Sequence, residues 1–482
     1  MSPRPVIFVQ PPASFDNHAP CLDDKQYGLG ILANAAWLKS KGFPVEGHHL
    51  PLDRHRGKPI EDSLDRIVAS NPLLVAIGLN WVHFSDGAIE TARRLKARAP
   101  GLAILVGGQH ASLFAAEIAG THADCIDGVI QGEAEVPLLT ICRALQDTGE
   151  MPDDVPGLHR TNRPSATQRV VENMEALPTY SYRTFQGAPL QRDVGALSTT
   201  RGACPFKCAW CIEPVIGRLQ GRRKLQFHSA KHIVHQMEAL IDEGINRFTI
   251  QDNFFVGGDR KLVALADEME RRRVRPKHLN IFSHPESFGA EGCRAFARCA
   301  DKASLDFGVE TGSPRVAEIN NRRLDPDHVV DQTECAVNAG VEVYTWWMVG
   351  LPGEDQTALN ETEDLILRTM RVGGVPRWVS PLILFPKTPI HDAPDAYGVT
   401  TRFKTFSDYT TFSRTTLAEA VLFSDTISHE TEEATRDDIT AASLRLRKFI
   451  VAHLDVLRDF YRDRPVTPEL GTVEGRVLQS FF

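Results

Sequence analysis

TTRGACPFKCAWCIEP, residues 199–214, spaces Cys204, Cys208 and Cys211 as C-x3-C-x2-C, with Trp210 immediately before the last cysteine. Three thiolates at this spacing can hold three irons of a [4Fe–4S] cluster and leave the fourth open, whereas a cluster that only carries electrons normally has four protein thiolates. An open iron, like the vacant position of a catalytic zinc, is where a small molecule binds and reacts. The competing reading is a structural zinc site completed by a histidine such as His228.

The 482 residues, 42% hydrophobic and 24% charged, suffice for two or three domains with substantial cores. The net charge is -8 and the pI about 6.1. No lysine- or arginine-rich block is present, which argues against a nucleic-acid partner held by generic electrostatics. The opening MSPRPVIFVQPP has too short an apolar run for a signal peptide and reads as a first strand. No stretch approaches the roughly 20 apolar residues of a membrane span. The 9 cysteines are an odd number, and the clustered three must stay reduced, so the expected compartment is a reducing cytoplasm. Cys21, Cys125, Cys142, Cys293, Cys299 and Cys335 are scattered and read as small buried hydrophobes.

Residues 1–150 alternate apolar strands (PVIFVQ, LVAIGL, LAILVGG, DGVIQG) with helices expected near 28–41, 84–98 and 113–119 and over VPLLTICRAL. This rhythm predicts an α/β, doubly wound parallel sheet of Rossmann-like type, with ligands outside the strand C-terminal ends. The loops there carry Pro11 and Pro12, Asn80, Trp81, Val82 and His83, then Gly107, Gly108, Gln109 and His110, and Gln131, Gly132 and Glu133. Residues 151–193, rich in proline and polar side chains, read as a connector. Residues 194–395 give six strand candidates: GALSTT, RFTIQD, LNIFSH, LDFGVE, VEVYTWWMVG and WVSPLILF. Six repeats are too few for a closed eight-stranded barrel, so a partial (β/α)6 barrel is expected. The cysteine loop follows its first strand, at the mouth. Trp346 and Trp347, adjacent on a strand, point to opposite faces. Residues 396–482 are expected to be mostly helical, with ITAASLRLRKFIVAHLDVLRDFYRDR as one long amphipathic helix.

With these motifs in order, the chain resembles the cobalamin (B12)-binding radical S-adenosylmethionine (SAM) enzymes over roughly residues 5–390. The resemblance implies that Cys204, Cys208 and Cys211 ligate a [4Fe–4S] cluster whose open iron is chelated by SAM, and that Phe206 and Trp210 lie beside it, Trp210 near the adenine. It implies that Asp252 and Glu310 are the catalytic or SAM-contacting carboxylates, with Asn253 and Ser283 at neighbouring strand ends beside His284. MVGLPGE, containing Val349, Gly350, Leu351 and Pro352, corresponds to the adenine-side segment. In the N-terminal half, Tyr27, Gly28, VGGQH and QGEAE resemble the cobalamin-binding segments, and the loop with Asn80, Trp81 and Val82 would face the cobalt. Asp16-Asn17-His18-Ala19-Pro20-Cys21 departs from the Asp-x-His-x-x-Gly signature of histidine-ligated cobalamin, since Cys21 replaces the glycine. The expectation is therefore cobalamin without a histidine ligand.

The implied reaction is methylation of an unactivated carbon of a small molecule using two SAM, as methylcobalamin and a 5′-deoxyadenosyl radical, with a flavodoxin- or ferredoxin-type electron donor. A radical rearrangement, cyclisation or oxidation, or a cobalamin or iron–sulfur sensor, are the alternatives. A tRNA methylthiolating enzyme fits less well, because no basic C-terminal module is present. The competing reading of Asp252 and Glu310 is that they cap helices or pair with arginines. Substrate contacts are expected from Phe385, Pro386, His391 and the C-terminal region.

Overall fold

The computed structural model describes residues 3–16, 28–161, 163, 165, 169–185, 194–222, 224–252, 257–414 and 426–464. The first sheet holds β1 (Val6–Gln10), β2 (Val45–His49), β3 (Leu74–Gly78), β4 (Ile104–Gly107), β5 (Gly128–Ile130) and β6 (Leu158–His159), in the order β2-β1-β3-β4-β5-β6. All pairs are parallel except β5 with β6. Every residue of β1 is buried, as a strand covered by helices on both faces requires. The chain steps from β1 to β2 on one side and returns to β3 on the other, so β1 and β3 flank the point where a crevice opens at the strand ends.

The second sheet starts with β7 (Val194–Leu197). A two-stranded ribbon follows, β8 (Thr200–Arg201) with β9 (Gln226–Phe227), and then β10 (Arg247–Ile250), β11 (His278–Ser283), β12 (Lys302–Glu310), β13 (Glu342–Val349) and β14 (Val375–Pro381). The order β14-β13-β12-β11-β10-β7 is wholly parallel, giving an open six-stranded partial barrel.

Its two edges are covered by segments that are not barrel repeats. At β7, Tyr180 donates from its hydroxyl to Ala196 O (2.5 Å), and Ala196 N donates to the Tyr182 hydroxyl (2.8 Å). At β14, the helix Arg436–Ala452 packs against the strand. Covering an edge satisfies strand groups that would otherwise pair with another chain.

The expectations differ from the structure in several places. The connector supplies β6 to the first sheet and Tyr180 and Tyr182 to the barrel. The C-terminal helix is broken at His453 into Arg436–Ala452 and Leu454–Tyr461, and a short antiparallel pair, β15 (Val399–Thr401) and β16 (His429–Thr431), precedes it. The helix expected near 113–119 is two pieces, Gln109–Leu113 and Ala115–Thr121, because Phe114 leaves helical geometry between them. Among the described residues no helix is long and apolar enough to cross a membrane.

The turn after β12 packs directly on the helix Gln356–Arg371. A Cβ at Gly312 would lie 2.4 Å from Glu361 O and 2.5 Å from Thr362 Cα, both backbone atoms. Gly312→Ala should therefore destabilise the protein by about 1–3 kcal/mol, the usual cost of overpacking. A urea unfolding curve superimposing on that of the wild type would contradict this packing.

Candidate functional site

The cysteine loop leaves from β8 and returns at β9, so the ribbon clamps the base of the excursion. Burial pushes the Cys204 thiol up to about 11 and the Cys211 thiol further still. These groups ionise only against a strong positive charge, which iron supplies. A mononuclear zinc with bonds of about 2.3 Å would draw its sulfurs to roughly 3.8 Å from one another. The only described side chains offering three ligand atoms within 4.8 Å of one another are Glu175, His228 and His232; the three cysteines are not such a group. His228 stacks on His232 with ring centres 4.0 Å apart and groups with Glu175, not with the three cysteines. Of the other described cysteines, Cys142, Cys293 and Cys299 are buried with thiols pushed up to about 12, as expected of small core hydrophobes.

Around the loop, Phe206 stacks on His284 at 5.0 Å and 14°. Leu351 and Met348 pack with Cys208, Ala209 and Trp210 in one apolar cluster. Arg322 was not apparent from the sequence. Its Nη1 lies 3.8 Å from Cys208 Sγ, its guanidinium 5.9 Å from the Trp210 ring centre, and its Nη2 donates to Gly308 O. A cation donating toward a cluster sulfur stabilises the reduced, more negative cluster. Glu310 ends β12 at a register shift with φ +74, a strained conformation for a side-chain-bearing residue. Burial raises its pKa and Arg322 opposes that rise.

Asp252 lines the lumen next to the cysteine loop. Its carboxylate accepts from Ser198 Oγ (3.0 Å), from Thr199 N (2.9 and 3.0 Å) and from Thr199 Oγ1. These bonds anchor the end of β7, directly before the cysteine loop. Ser283 is buried and bonds only the neighbouring His284 O among the described contacts. Val349 and Pro352 serve through their carbonyls, which accept from Leu382 N (2.9 Å) and Asn320 Nδ2 (2.9 Å), while Gly350 O meets His429 Nε2 at 2.7 Å.

One cavity of about 1350 Å³ joins the crevice of the first sheet to the barrel lumen, exceeding the roughly 300–1,000 Å³ of pockets for drug-sized ligands. On the first-sheet side it is lined by Gly28, Asn80, Trp81, Val82, Gly107, Gly108, Gln109, Gly132, Glu133 and Ala134, together with Gln10 and Ser112, which the sequence reading missed. Gly108 has φ +123, and a Cβ there would lie 2.5 Å from Leu79 O, so only glycine lets the loop pass this close to β3. Trp81 is 41% exposed, a rare exposure for its type, and its face opens on the cavity. The size and shape of this space, with glycine-rich walls and an exposed indole, fit a flat corrin.

Other expectations are corrected. Pro11, Pro12 and Gln131 lie outside the cavity wall. His110 is buried behind it, within 5.2–6.3 Å of the Phe114, Phe385, Phe406 and Tyr409 rings, with its pKa lowered to about 3 by burial. The short helix after Gly108 turns the histidine inward, toward the core. Glu133 pairs with barrel arginines: Arg201 Nη1 at 3.0 Å and Arg222 Nη2 at 2.8 Å. Asn80 caps the next helix, its Oδ1 accepting from Gln109 N at 3.3 Å. His18, Cys21, Tyr27 and Asn253 lie outside the described residues.

Two family models match the chain: the radical SAM superfamily over residues 199–366 and the B12 binding domain over residues 21–141. Among curated relatives, an uncharacterized methyltransferase of Pyrococcus horikoshii is 23% identical over 54% of this chain and 56% of its own length. A tRNA-2-methylthio-N(6)-dimethylallyladenosine synthase of Moorella thermoacetica is 25% identical over 60% and 61%. The hopanoid C-3 methylase of Methylococcus capsulatus is 23% identical over 52% and 47%. The chain thus spans about half the length of the curated relatives it matches. The fold is shared with the radical S-adenosylmethionine methyltransferase TsrM of Kitasatospora setae, solved with cobalamin and a [4Fe–4S] cluster, at a TM-score of 0.65 and 17% identity over 93% of this chain and 89% of that one. The chain thus joins a match to the B12 binding domain with a match to the radical SAM superfamily, and it shares its fold with a methyltransferase solved with cobalamin and a [4Fe–4S] cluster.

Glu354 closes the MVGLPGE turn by accepting from Gly350 N at 2.6 Å, and burial pushes its carboxyl up from 4.5 to about 8. It is protonated in the folded protein at pH 7. A pKa raised by folding contributes stability below pH 4.5 that is lost as pH rises through 8. Relative to Glu354→Gln, the wild type should lose stability by up to ~1.4 kcal/mol per pH unit across that window. Urea unfolding of both proteins from pH 5 to 8.5 measures the gap, and a gap independent of pH would contradict a buried protonated carboxyl.

Proposed function

We propose that this protein is a cobalamin-dependent radical SAM methyltransferase that methylates an unactivated carbon of a small-molecule substrate, consuming two SAM per turnover. The observation that carries this reading is the single cavity shared by the first-sheet crevice, the cysteine-loop ribbon and the barrel lumen. A substrate in the lumen would lie between the first-sheet crevice and the ribbon that carries the cysteine loop, the close approach that group transfer requires. Bound there, the cluster and SAM supply a 5′-deoxyadenosyl radical, and the corrinoid supplies a transferable methyl group.

The chain's own residues hold the reactants and exclude water. Cys204, Cys208 and Cys211 hold the irons and Arg322 faces the Cys208 sulfur. Asp252 and the β8–β9 ribbon fix the loop at the barrel mouth. Trp81 covers the crevice from the first-sheet side, and His83, which also lines the cavity, is buried against Phe412 at 5.9 Å, with its pKa lowered to about 4. The balance is one substrate C–H, two SAM and two electrons consumed, with methylated substrate, S-adenosylhomocysteine, methionine and 5′-deoxyadenosine formed. A flavodoxin- or ferredoxin-type donor would supply the electrons.

Anaerobically reconstituted protein given cobalamin, SAM and dithionite should form both S-adenosylhomocysteine and 5′-deoxyadenosine. Cys208→Ala should lose its iron and fall to background in 5′-deoxyadenosine. Continued 5′-deoxyadenosine formation by that variant would defeat the radical assignment. Wild-type 5′-deoxyadenosine without S-adenosylhomocysteine would instead favour a radical reaction that moves no methyl group.

A further inference from the structure

Arg447 faces the barrel lumen with no carboxylate partner among the described residues. At mid-height Asp306, 1% exposed, accepts from Asn280 Nδ2 (2.7 Å), Trp346 Nε1 (2.7 Å) and Arg377 Nη1 (3.1 Å), so the charges of Asp306 and Arg377 match. Arg447 enters from the helix Arg436–Ala452, across the outer strand β14, and lines the same cavity. It is 3% exposed. Its Nη2 donates to Val379 O, its Nε has no partner, and its guanidinium lies 5.6 Å from the Trp378 ring centre. No carboxylate among the described residues acts on it: burial alone lowers its pKa, to about 10, which still leaves it charged at neutral pH.

Fastening a helix to one carbonyl needs only a neutral donor. A buried guanidinium without a counter-ion is costly unless something completes it, and a planar fork of N–H donors matches an oxyanion. Beside it, Trp378 and Trp346 form an aromatic wall, ring centres 6.2 Å apart.

We propose that the substrate carries an oxyanion, a carboxylate or phosphate, received by Arg447, with its apolar or planar body against Trp346 and Trp378. This rests on the reading of the lumen as the substrate site. It also assigns a substrate-selecting role to the C-terminal helix.

The test uses holoprotein loaded with cluster and cobalamin, in the presence of SAM, titrated calorimetrically with 2-naphthoate, 2-naphthyl phosphate and the neutral 2-naphthamide. At least one of the two anions should bind ten times or more tighter than the amide, and whichever does so identifies the oxyanion. Arg447→Gln should bring that ratio to about one, and Arg447→Lys should keep part of it. Equal affinities for acids and amide in the wild type would overturn the inference, even if no variant folds. Loss of bound cobalamin from Arg447→Gln on gel filtration, with wild-type helical content by circular dichroism, would also overturn it, by assigning the guanidinium to the cofactor. 5′-Deoxyadenosine is measured in the same wild-type preparation: its formation without anion preference sinks only this inference, whereas its absence sinks the radical reading beneath it.

Discussion

The arrangement depends on a charged clamp between the two sheets. Glu133 and Glu135, in the turn after β5, face Arg201 on β8 and Arg222 near β9. Arg201 Nη1 lies 3.0 Å from Glu133 and 2.7 Å from Glu135, and Arg222 holds Glu133 through both Nε and Nη2 while donating to Val171 O at 2.8 Å. Three of the four side chains are buried. Such a network adds little net stability over an apolar contact, yet removing one partner of a buried pair typically costs about 3–5 kcal/mol. Its value is geometric. Arg201 stands three residues before Cys204, so the clamp fixes the cysteine loop directly to the rim of the first-sheet crevice.

That clamp lies between the two halves of the site named from the sequence, and Glu133 takes part in both, lining the cavity and meeting barrel arginines. QGEAE gives the path of a strand-end turn, but nothing local shows that Glu133 meets arginines 68 and 89 residues away. The same limit applies to Asp252, whose donors come from the end of β7, and to His110, whose direction is set by a one-turn helix. Continuous apolar runs make β1, β3, β4 and the barrel strands legible. The edge strand β2, VEGHH, carries no such run, although its last three residues, Gly47, His48 and His49, are buried. The cysteines needed no tertiary context, since their spacing within one loop already defines the chemistry.

Arg322 and Arg447 were invisible for a related reason. Each is an arginine on or next to a helix, and only folding brings one to a cysteine sulfur and the other near a tryptophan ring. A pattern-based reading detects periodicity and motif, and neither describes the far end of a long side chain.

The partial barrel has a further consequence for how such a site is built. Closing eight strands would fill the lumen with side chains; stopping at six leaves a lumen and two edges that must be covered. Here the connector covers β7 beside the clamp, where the cofactor-holding elements meet, and the C-terminal helix covers β14 on the opposite edge. Residues that hold the cluster and crevice therefore sit at strand ends and in the ribbon, whereas Arg447 sits on a helix that meets that rim through Ile439 against Gly350. The fold can thus change what the lumen accepts at Arg447, while the cysteine loop and its clamp stand on other elements.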